Sequence, residues 1–566
     1  MAEITAEYVP PQLWDPRLRR STSSSSESGD SQRSHSPTTL AQRADGYTEG
    51  DALEKQSTNR QPRDEQLGTR ISRVQSLTNR KANDGTFSHP LAHVKTTADN
   101  LVEFEGEDDP YRPINWPFRK KCITTALYGL TTMGATLAST IYSPEVPTIS
   151  QEYGVGEEVA ILGISFTLAG FGLGPLIFGP VSEVYGRKPA VLFPYFPGIL
   201  FAFAGGASKD IQSILITRFF MGLCSSAPVV NTGGVLADIW APTQRAAAMA
   251  FYALAVVGGP LFGPIIGGAF VVSGVNWRWV QFLSGIFMAV IWILDILILD
   301  ESYPPALLAH KARRLRIKTG NWALHARHEE WDPAPMELVR KFGIRPFKML
   351  TTPICFLVAL YASFCYGLLY GNLAAFPIIF EQQRRWNPLI GSLPFLALFV
   401  GVLLASCVNV FNQKYYARAY KAAGNKAVPE ARLPPMMFGS VFFAGGCFVL
   451  GWTSASNISV AWPLIGTLML GIGFFTIFQA ALNYLVDTFR VYSASAIAAN
   501  TFLRSSFAVA FPLFIGPMYA RLGVAWATSL LGFFATALIP IPFLFYRYGA
   551  ALRQRGKYSR EMETNS

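Results

Sequence analysis

Arg218 stands about eight residues inside a long uncharged run that opens near residue 211. A guanidinium at that depth of an apolar segment is costly unless paired or hydrated, so it is either a working charge or a structural tie to backbone carbonyls. A second set of charges lies between two other apolar runs, in Gly179-Pro180-Val181-Ser182-Glu183-Val184-Tyr185-Gly186-Arg187-Lys188. The glycines permit a sharp reversal, Arg187 and Lys188 are basic topology signals, and Glu183 is an acid that can find a helix N-terminus or a base. Asp238 ends the run that holds Arg218, at the same edge as Arg187, so these two can pair. Such charges suit electrostatic latches, not bond-making. The chain shows no nucleophile–base set, phosphate loop or large folded domain outside the apolar runs, which speaks against an enzyme or a non-transporting receptor; no cofactor and no metal site are expected.

These charges must be positioned by membrane helices. Of the 566 residues, 50% are hydrophobic and only 15% charged, and the uncharged runs reach the roughly 20 residues that cross a bilayer. Twelve spans are expected at about 121–143, 158–179, 189–207, 211–237, 246–272, 279–299, 352–379, 389–411, 434–454, 462–486, 494–519 and 525–546. The net charge of +11 is not a nucleic-acid signal: residues 1–112 are about −4, and the excess sits in links beside the spans. Links 2–3, 4–5, 6–7, 8–9 and 10–11 are basic and the alternate ones poor, with Arg384 and Arg385 in link 7–8 against the trend. By the positive-inside bias both termini are cytosolic. The six cysteines lie in or beside apolar runs without paired spacing and read as packing residues.

Residues 1–112, rich in Ser, Thr, Asn, Gln and charge, are expected to be a disordered cytosolic tail. The remainder divides into a six-helix bundle at 113–299, a central loop at 300–350, a second bundle at 351–548 and a cytosolic tail at 549–566. A weak repeat supports six plus six: Asp238 and then Pro260-Leu261-Phe262-Gly263-Pro264 in the first half, Asp487 and then Pro512-Leu513-Phe514-Ile515-Gly516-Pro517 in the second.

The Gly179–Lys188 stretch resembles the loop between the second and third helices of the major facilitator superfamily. Arg218-Phe219-Phe220-Met221-Gly222 resembles that superfamily's fourth helix, whose buried arginine is associated with proton coupling. Gly258-Gly259-Pro260-Leu261-Phe262-Gly263-Pro264-Ile265-Ile266-Gly267-Gly268 is similar to the antiporter signature of the fifth; a generic small-residue seam would explain its glycines but not both prolines. Asp300-Glu301-Ser302-Tyr303-Pro304-Pro305, Arg345-Pro346-Phe347, Pro429 to Pro435, and Ser493 to Ala496 with Asn500 and Arg504 narrow the likeness to fungal drug:proton antiporters. Three departures are Thr352, where relatives often carry an acid, Ser302, where they often carry threonine, and a first span with no interior carboxylate.

The resemblance implies an all-α fold of two bundles rocking about a central cavity, and proton-driven export of amphipathic small molecules, drugs or a self-made toxin, across the plasma membrane by a monomer. Its partners would be that substrate, protons and the bilayer. Glu183 would face the start of the eleventh span near Ser493. Asp295, in the sixth span, is close enough to the cytosol to snorkel and reads as a structural acid. Candidate cavity residues are Tyr361, Tyr366, Tyr370 and Asn372 in the seventh span, Phe475, Phe478, Gln479 and Asn483 in the tenth, and Asn500 and Arg504 in the eleventh; packing or lipid contact is the competing reading for the aromatics. Export of a polyamine or other organic cation is the alternative function, disfavoured by the few interior acids.

The charge pattern predicts sidedness. On intact cells an impermeant amine reagent should leave a tag at residue 1 unlabelled, and the Asn457-Ile458-Ser459 sequon in link 9–10 should carry a glycan. A labelled N-terminus would reverse the topology.

Overall fold

The computed structural model describes residues 100–106, 108–330, 343–424, 428–489 and 492–555. By compactness the chain separates into one unit of residues 1–96 with 320–323, of which only the turn at 320–323 is described, and a second of 97–319 with 324–566. All of the long helices belong to the second unit. Most of the expected tail lies outside the described residues.

Among the described residues, twelve helices build the two bundles. The first six are α1 (Phe118–Thr140), α2 (Glu157–Tyr185), α3 (Arg187–Gly206), α4 (Ile211–Ile239), α5 (Pro242–Ser273) and α6 (Arg278–Ile298). The next four are α7 (Pro353–Phe376), α8 (Pro394–Ala422), α9 (Pro434–Thr453) and α10 (Ala461–Phe489). The helical run Ser493–Leu538 is broken at Gly523 (φ 71°, ψ 162°), giving α11 (493–522) and α12 (524–538). Ten described helices are long and apolar enough to cross a membrane on composition. The other two of the twelve are α1, diluted by its threonines, and the second helix of the broken run. Local signals agree: prolines open α5, α7, α8 and α9, where no N–H is needed, Asp210 caps α4 through the Ser213 N–H (2.8 Å), and Gly274 ends α5 at φ 67°. Large apolar side chains such as Phe193, Leu297 and Phe411 point outward, as lipid contact requires.

Packing repeats between the halves. In the first, α1 packs on α5, α2 on α4 and α3 on α4; in the second, α7 packs on α11, α8 on α10 and α9 on α10. The halves meet where α2 lies on α11 and, equivalently, where α5 lies on α8. Glycines set the closest approaches. A Cβ on Gly259 would fall 2.8 Å from Leu137 N and Met133 O, and one on Gly263 would fall 2.9 Å from Ile141 N. The Gly258–Gly268 stretch is therefore the α1–α5 seam, with Gly267 against Pro144 and Gly268 against Pro388 of the other half. Pro260 and Pro264 lie within α5 without ending it.

The segment boundaries need two corrections. Residues 100–106 and 108–112, assigned to the tail, fold onto a linker helix (Pro304–Thr319): Val102 is buried with Ala312 and Ala326, and the Lys311 ammonium reaches Glu105 (2.8 Å) and Asp109 (3.4 Å). Burial would raise the Asp109 carboxyl, but N–H groups of Glu105 and Tyr111 and the Lys311 charge hold it below its ordinary value. At the other end, a helix at Pro540–Arg555 takes in the first residues of the 549–566 tail, and Arg553 pairs with Glu430.

The seam predicts unequal costs for neighbouring glycines. At Gly258 an added methyl would make ordinary contacts of 3.6 Å and more, whereas at Gly259 it meets backbone. Gly259→Ala should destabilise by about 1–3 kcal/mol, while Gly258→Ala should be neutral or slightly stabilising. Thermal unfolding of the purified protein in detergent decides; equal effects would remove the seam from the explanation.

Candidate functional site

Charged side chains gather at the turn between α2 and α3. Gly186 sits there at φ 99°, a conformation that favours glycine. A Cβ at this position would also lie 2.7 Å from Glu301 Oε2. Glu301 follows α6 and caps α3: its carboxylate accepts from the N–H groups of Arg187 (2.9 Å), Lys188 (3.0 Å), Ser302 (2.9 Å) and Tyr303 (2.8 Å). No motif in the sequence assigns Glu301 this role. The Arg187 side chain is buried. Its Nε donates to Asp238 Oδ2 (3.2 Å), its Nη1 donates to Ser182 Oγ (2.5 Å), and its guanidinium lies 4.8 Å from the centre of the Tyr303 ring. Gly234 makes room for it, since a Cβ there would fall 2.8 Å from Arg187 Cζ. Lys188 Nζ donates to Leu299 O at the end of α6 (2.5 Å). Gly179 is half-buried near the end of α2, and Glu183 lies in its last turn.

The Arg187–Asp238 pair joins α3 to α4 inside one half. It is a brace within the first bundle and does not itself bridge the halves. At this distance the Coulomb attraction is on the order of 5 kcal/mol at an effective dielectric of about 20, before desolvation. Desolvation offsets much of it, so the pair fixes position more than it adds stability. The second half repeats the device. Arg432, just before α9, donates to Asp487 Oδ2 (2.8 Å) and Gln413 Oε1 (2.9 Å) and stacks 3.4 Å from the centre of the Tyr416 ring. Asp238 and Asp487 are the acids of the sequence repeat; in the sequence Arg432 reads as a topology signal and as part of the Pro429–Pro435 likeness, not as the partner of Asp487.

On the far side from this turn the halves touch. Ser139 Oγ meets Tyr370 OH (3.4 Å), Ser143 Oγ donates to Leu373 O (3.2 Å), and Ser165 Oγ donates to Val509 O (2.9 Å). Arg218 lies beside this contact, 1% exposed. Its Nε donates to Gly163 O (2.7 Å) and its Nη2 to Ser139 O (2.9 Å) and Ala138 O (3.3 Å), and the guanidinium stacks 4.2 Å from the centre of the Tyr142 ring. This geometry is that of the structural tie, with Nη1 alone left without a partner. Arg384, the charge against the topological trend, donates to carbonyls of Thr453, Ser454, Ala455 and Ile458 and so holds the α9–α10 link, where Asn457 is exposed.

Of the cavity candidates, the structure brings Tyr366, Tyr370, Phe478 and Arg504 together. The Tyr366 ring lies 5.1 Å from that of Tyr370 and 6.1 Å from that of Phe478, and Arg504 lies over Tyr366 (4.5 Å) and Phe478 (5.2 Å). Phe474, absent from the sequence-derived set, completes the group 5.8 Å from Phe478, one helical turn away. Asn500 is one turn before Arg504 and fully buried. Tyr361 does not join them: it lies near Ser440 and Cys447, inside the packing of the second half. Asn372 and Phe475 are buried, Gln479 and Asn483 half-buried. Asp295 does not snorkel. It is 0% exposed, with Oδ2 accepting from Thr131 Oγ1 (2.6 Å) and Oδ1 unpartnered.

The fold and these sites define a multi-pass membrane protein of two pseudo-equivalent six-helix halves. The model of the Major Facilitator Superfamily matches residues 128–512, and the chain belongs to that superfamily. It is 49% identical to the efflux pump bik6 of Gibberella fujikuroi, over 81% of this chain and 95% of that one. It is 40% identical to the citrinin biosynthesis cluster transporter mrr1 of Monascus ruber, over 81% and 92%. The multidrug transporter FLU1 of Candida albicans is 39% identical, over 82% of this chain and 77% of that one. The solved xylose transporter XylE of E. coli shares the fold at 13% identity with a TM-score of 0.55, covering 76% of this chain and 98% of its own.

The cap predicts a contrast between neighbouring acids. Glu301→Ala strands several N–H groups, at about 1–3 kcal/mol for each donor left buried, and should lower both thermal stability and transport. Asp300→Ala removes only a surface pair with Lys120 and should change neither measurably. Equal thermal shifts for the two variants would refute the cap.

Proposed function

We propose that this protein exports amphipathic small molecules by alternating access, driven by protons moving the other way. The observation that carries the reading is an aromatic and amide-bearing site held between two separately braced halves, in a chain whose relatives include a named efflux pump and a named multidrug transporter. The basic turn between α2 and α3 is placed in the cytosol, so the far-side contacts close the outer gate. The chain works as a plasma-membrane monomer with both termini cytosolic, and Glu183 engages the start of α11 when the inner gate shuts.

The proton carrier is assigned to Asp295. Thr131 has one hydroxyl hydrogen but two acceptors in reach, Leu127 O (2.8 Å) and Asp295 Oδ2 (2.6 Å). Protonating Asp295 satisfies both, because its O–H then donates to Thr131 Oγ1 while Thr131 donates to Leu127 O. Tyr128 and Tyr195 face the same acid, and the Tyr195 hydroxyl donates to Thr131 O (3.0 Å). An intramembrane carboxyl in this state is a transport residue by default.

Proteoliposomes with a pH gradient test both claims. Wild type should move a fluorescent amphipathic substrate at least about tenfold faster with the gradient than without, a shift equivalent to about 1.4 kcal/mol. Asp295→Asn should keep substrate exchange at equal pH and lose the acceleration. A wild type indifferent to the gradient sinks proton coupling; an accelerated Asp295→Asn sinks the assignment of the carrier.

A further inference from the structure

Among the described residues, the buried arginines of the spans and the arginine of the second-half brace are partnered, except Arg504. Arg187 and Arg432 are paired with aspartates, and Arg218 is bound to three carbonyls. Arg504 is 8% exposed, its Nε has no hydrogen-bond partner, and among the described residues no carboxylate pairs with it. Only aromatic faces hold it. One turn earlier on the same helix face, Asn500 is 0% exposed, and both its Nδ2 and Oδ1 lack partners. Buried polar groups are normally satisfied, so three orphaned atoms on adjacent turns mark a place where something else supplies the bonds. Beside them the rings of Phe474 and Phe478 are nearly parallel, at 15°, and Tyr366 lies 23° from Phe478. Ser505, next to Arg504, abuts Gly172 of α2, so the site lies along the boundary between the halves.

We infer that Arg504 and Asn500 form an anion-binding point and that the exported compounds are planar aromatic or conjugated acids. The guanidinium takes a carboxylate or ionised enol, the amide takes a neighbouring hydroxyl or carbonyl, and the rings of Tyr366, Phe474 and Phe478 face the planar body. Charge-assisted bonds to a guanidinium are the strong ones, and a low-dielectric site strengthens them further. A polyamine would meet an uncompensated positive charge, which argues against the organic-cation alternative. The inference rests on the efflux reading for its transport meaning but not for binding.

The test is binding of tritiated 2-naphthoate to the purified full-length protein in detergent, in competition with unlabelled 2-naphthoate, its uncharged isostere 2-naphthamide, and spermidine. Wild type should prefer the acid over the amide by at least about tenfold, and spermidine should not compete. Arg504→Gln should lose the preference and Arg504→Lys should keep part of it. The wild-type preference needs no variant, so misfolding of Arg504→Gln does not protect the proposal. No retention of naphthoate, equal retention of the amide, or competition by spermidine overturns it. Acid preference without gradient-driven export would leave this site standing and the efflux reading refuted; export of neutral compounds without acid preference would do the reverse.

Discussion

A charge inside a bilayer has to be spent on a partner. Arg187 is held by Asp238, Ser182 and the Tyr303 ring, and Arg432 by Asp487, Gln413 and the Tyr416 ring. In each half an arginine beside the first residues of one helix meets an aspartate in the last turn of the next. That arrangement fixes two helix ends against each other, and removing either partner would leave a buried charge, at a cost of about 3–5 kcal/mol. Glu301 adds a third constraint in the first half by tying the exit of α6 to the entry of α3.

Close glycine contacts occur both within the halves and between them, where Gly268 meets Pro388 and Gly172 meets Ser505. Inside the first half, α2 and α4 approach until a Cβ on Gly170 would fall 2.5 Å from Phe219 O, and α1 and α5 are as close at Gly259. Such seams cannot slide without collision. Between the halves on the far side stand single hydroxyl bonds from Ser139, Ser143 and Ser165, each with a net worth of about 1 kcal/mol. On the proposed alternating-access reading, the hydroxyl bonds of Ser139, Ser143 and Ser165 are the inter-half contacts that break at low cost.

This division also governs what the sequence discloses. Arg187 and Asp238 are legible because topology alone puts both at one edge. Glu301 is not: its partners include backbone N–H groups more than a hundred residues away, and they leave no side-chain signature. Arg432 is obscured because a basic link reads first as topology; only the repeat of Asp238 at Asp487 points to it. Tyr361 is misassigned for a geometric reason. It shares α7 with Tyr366 and Tyr370, but helix rotation turns it toward Ser440, and an apolar helix buried on nearly every side gives no periodicity from which to read that rotation. Val102 escapes notice because one apolar residue finds its partners far along the chain, in the linker helix and at Ala326.

The allocation of arginines separates three tasks. Arg187 and Arg432 brace the helix ends, Arg218 ties α4 to the backbones of α1 and α2, and Arg504 stands between the halves with aromatic faces as its only company. An unpaired cation there opposes closure, because shutting both gates would strip it of its remaining hydration. An anionic ligand removes that penalty by supplying the missing charge, so the occluded state becomes accessible once the site is filled. Differential stabilisation of one state by ligand is all that a population shift requires. On the proposed reading, the guanidinium that selects the substrate would also make the conformational change depend on its presence.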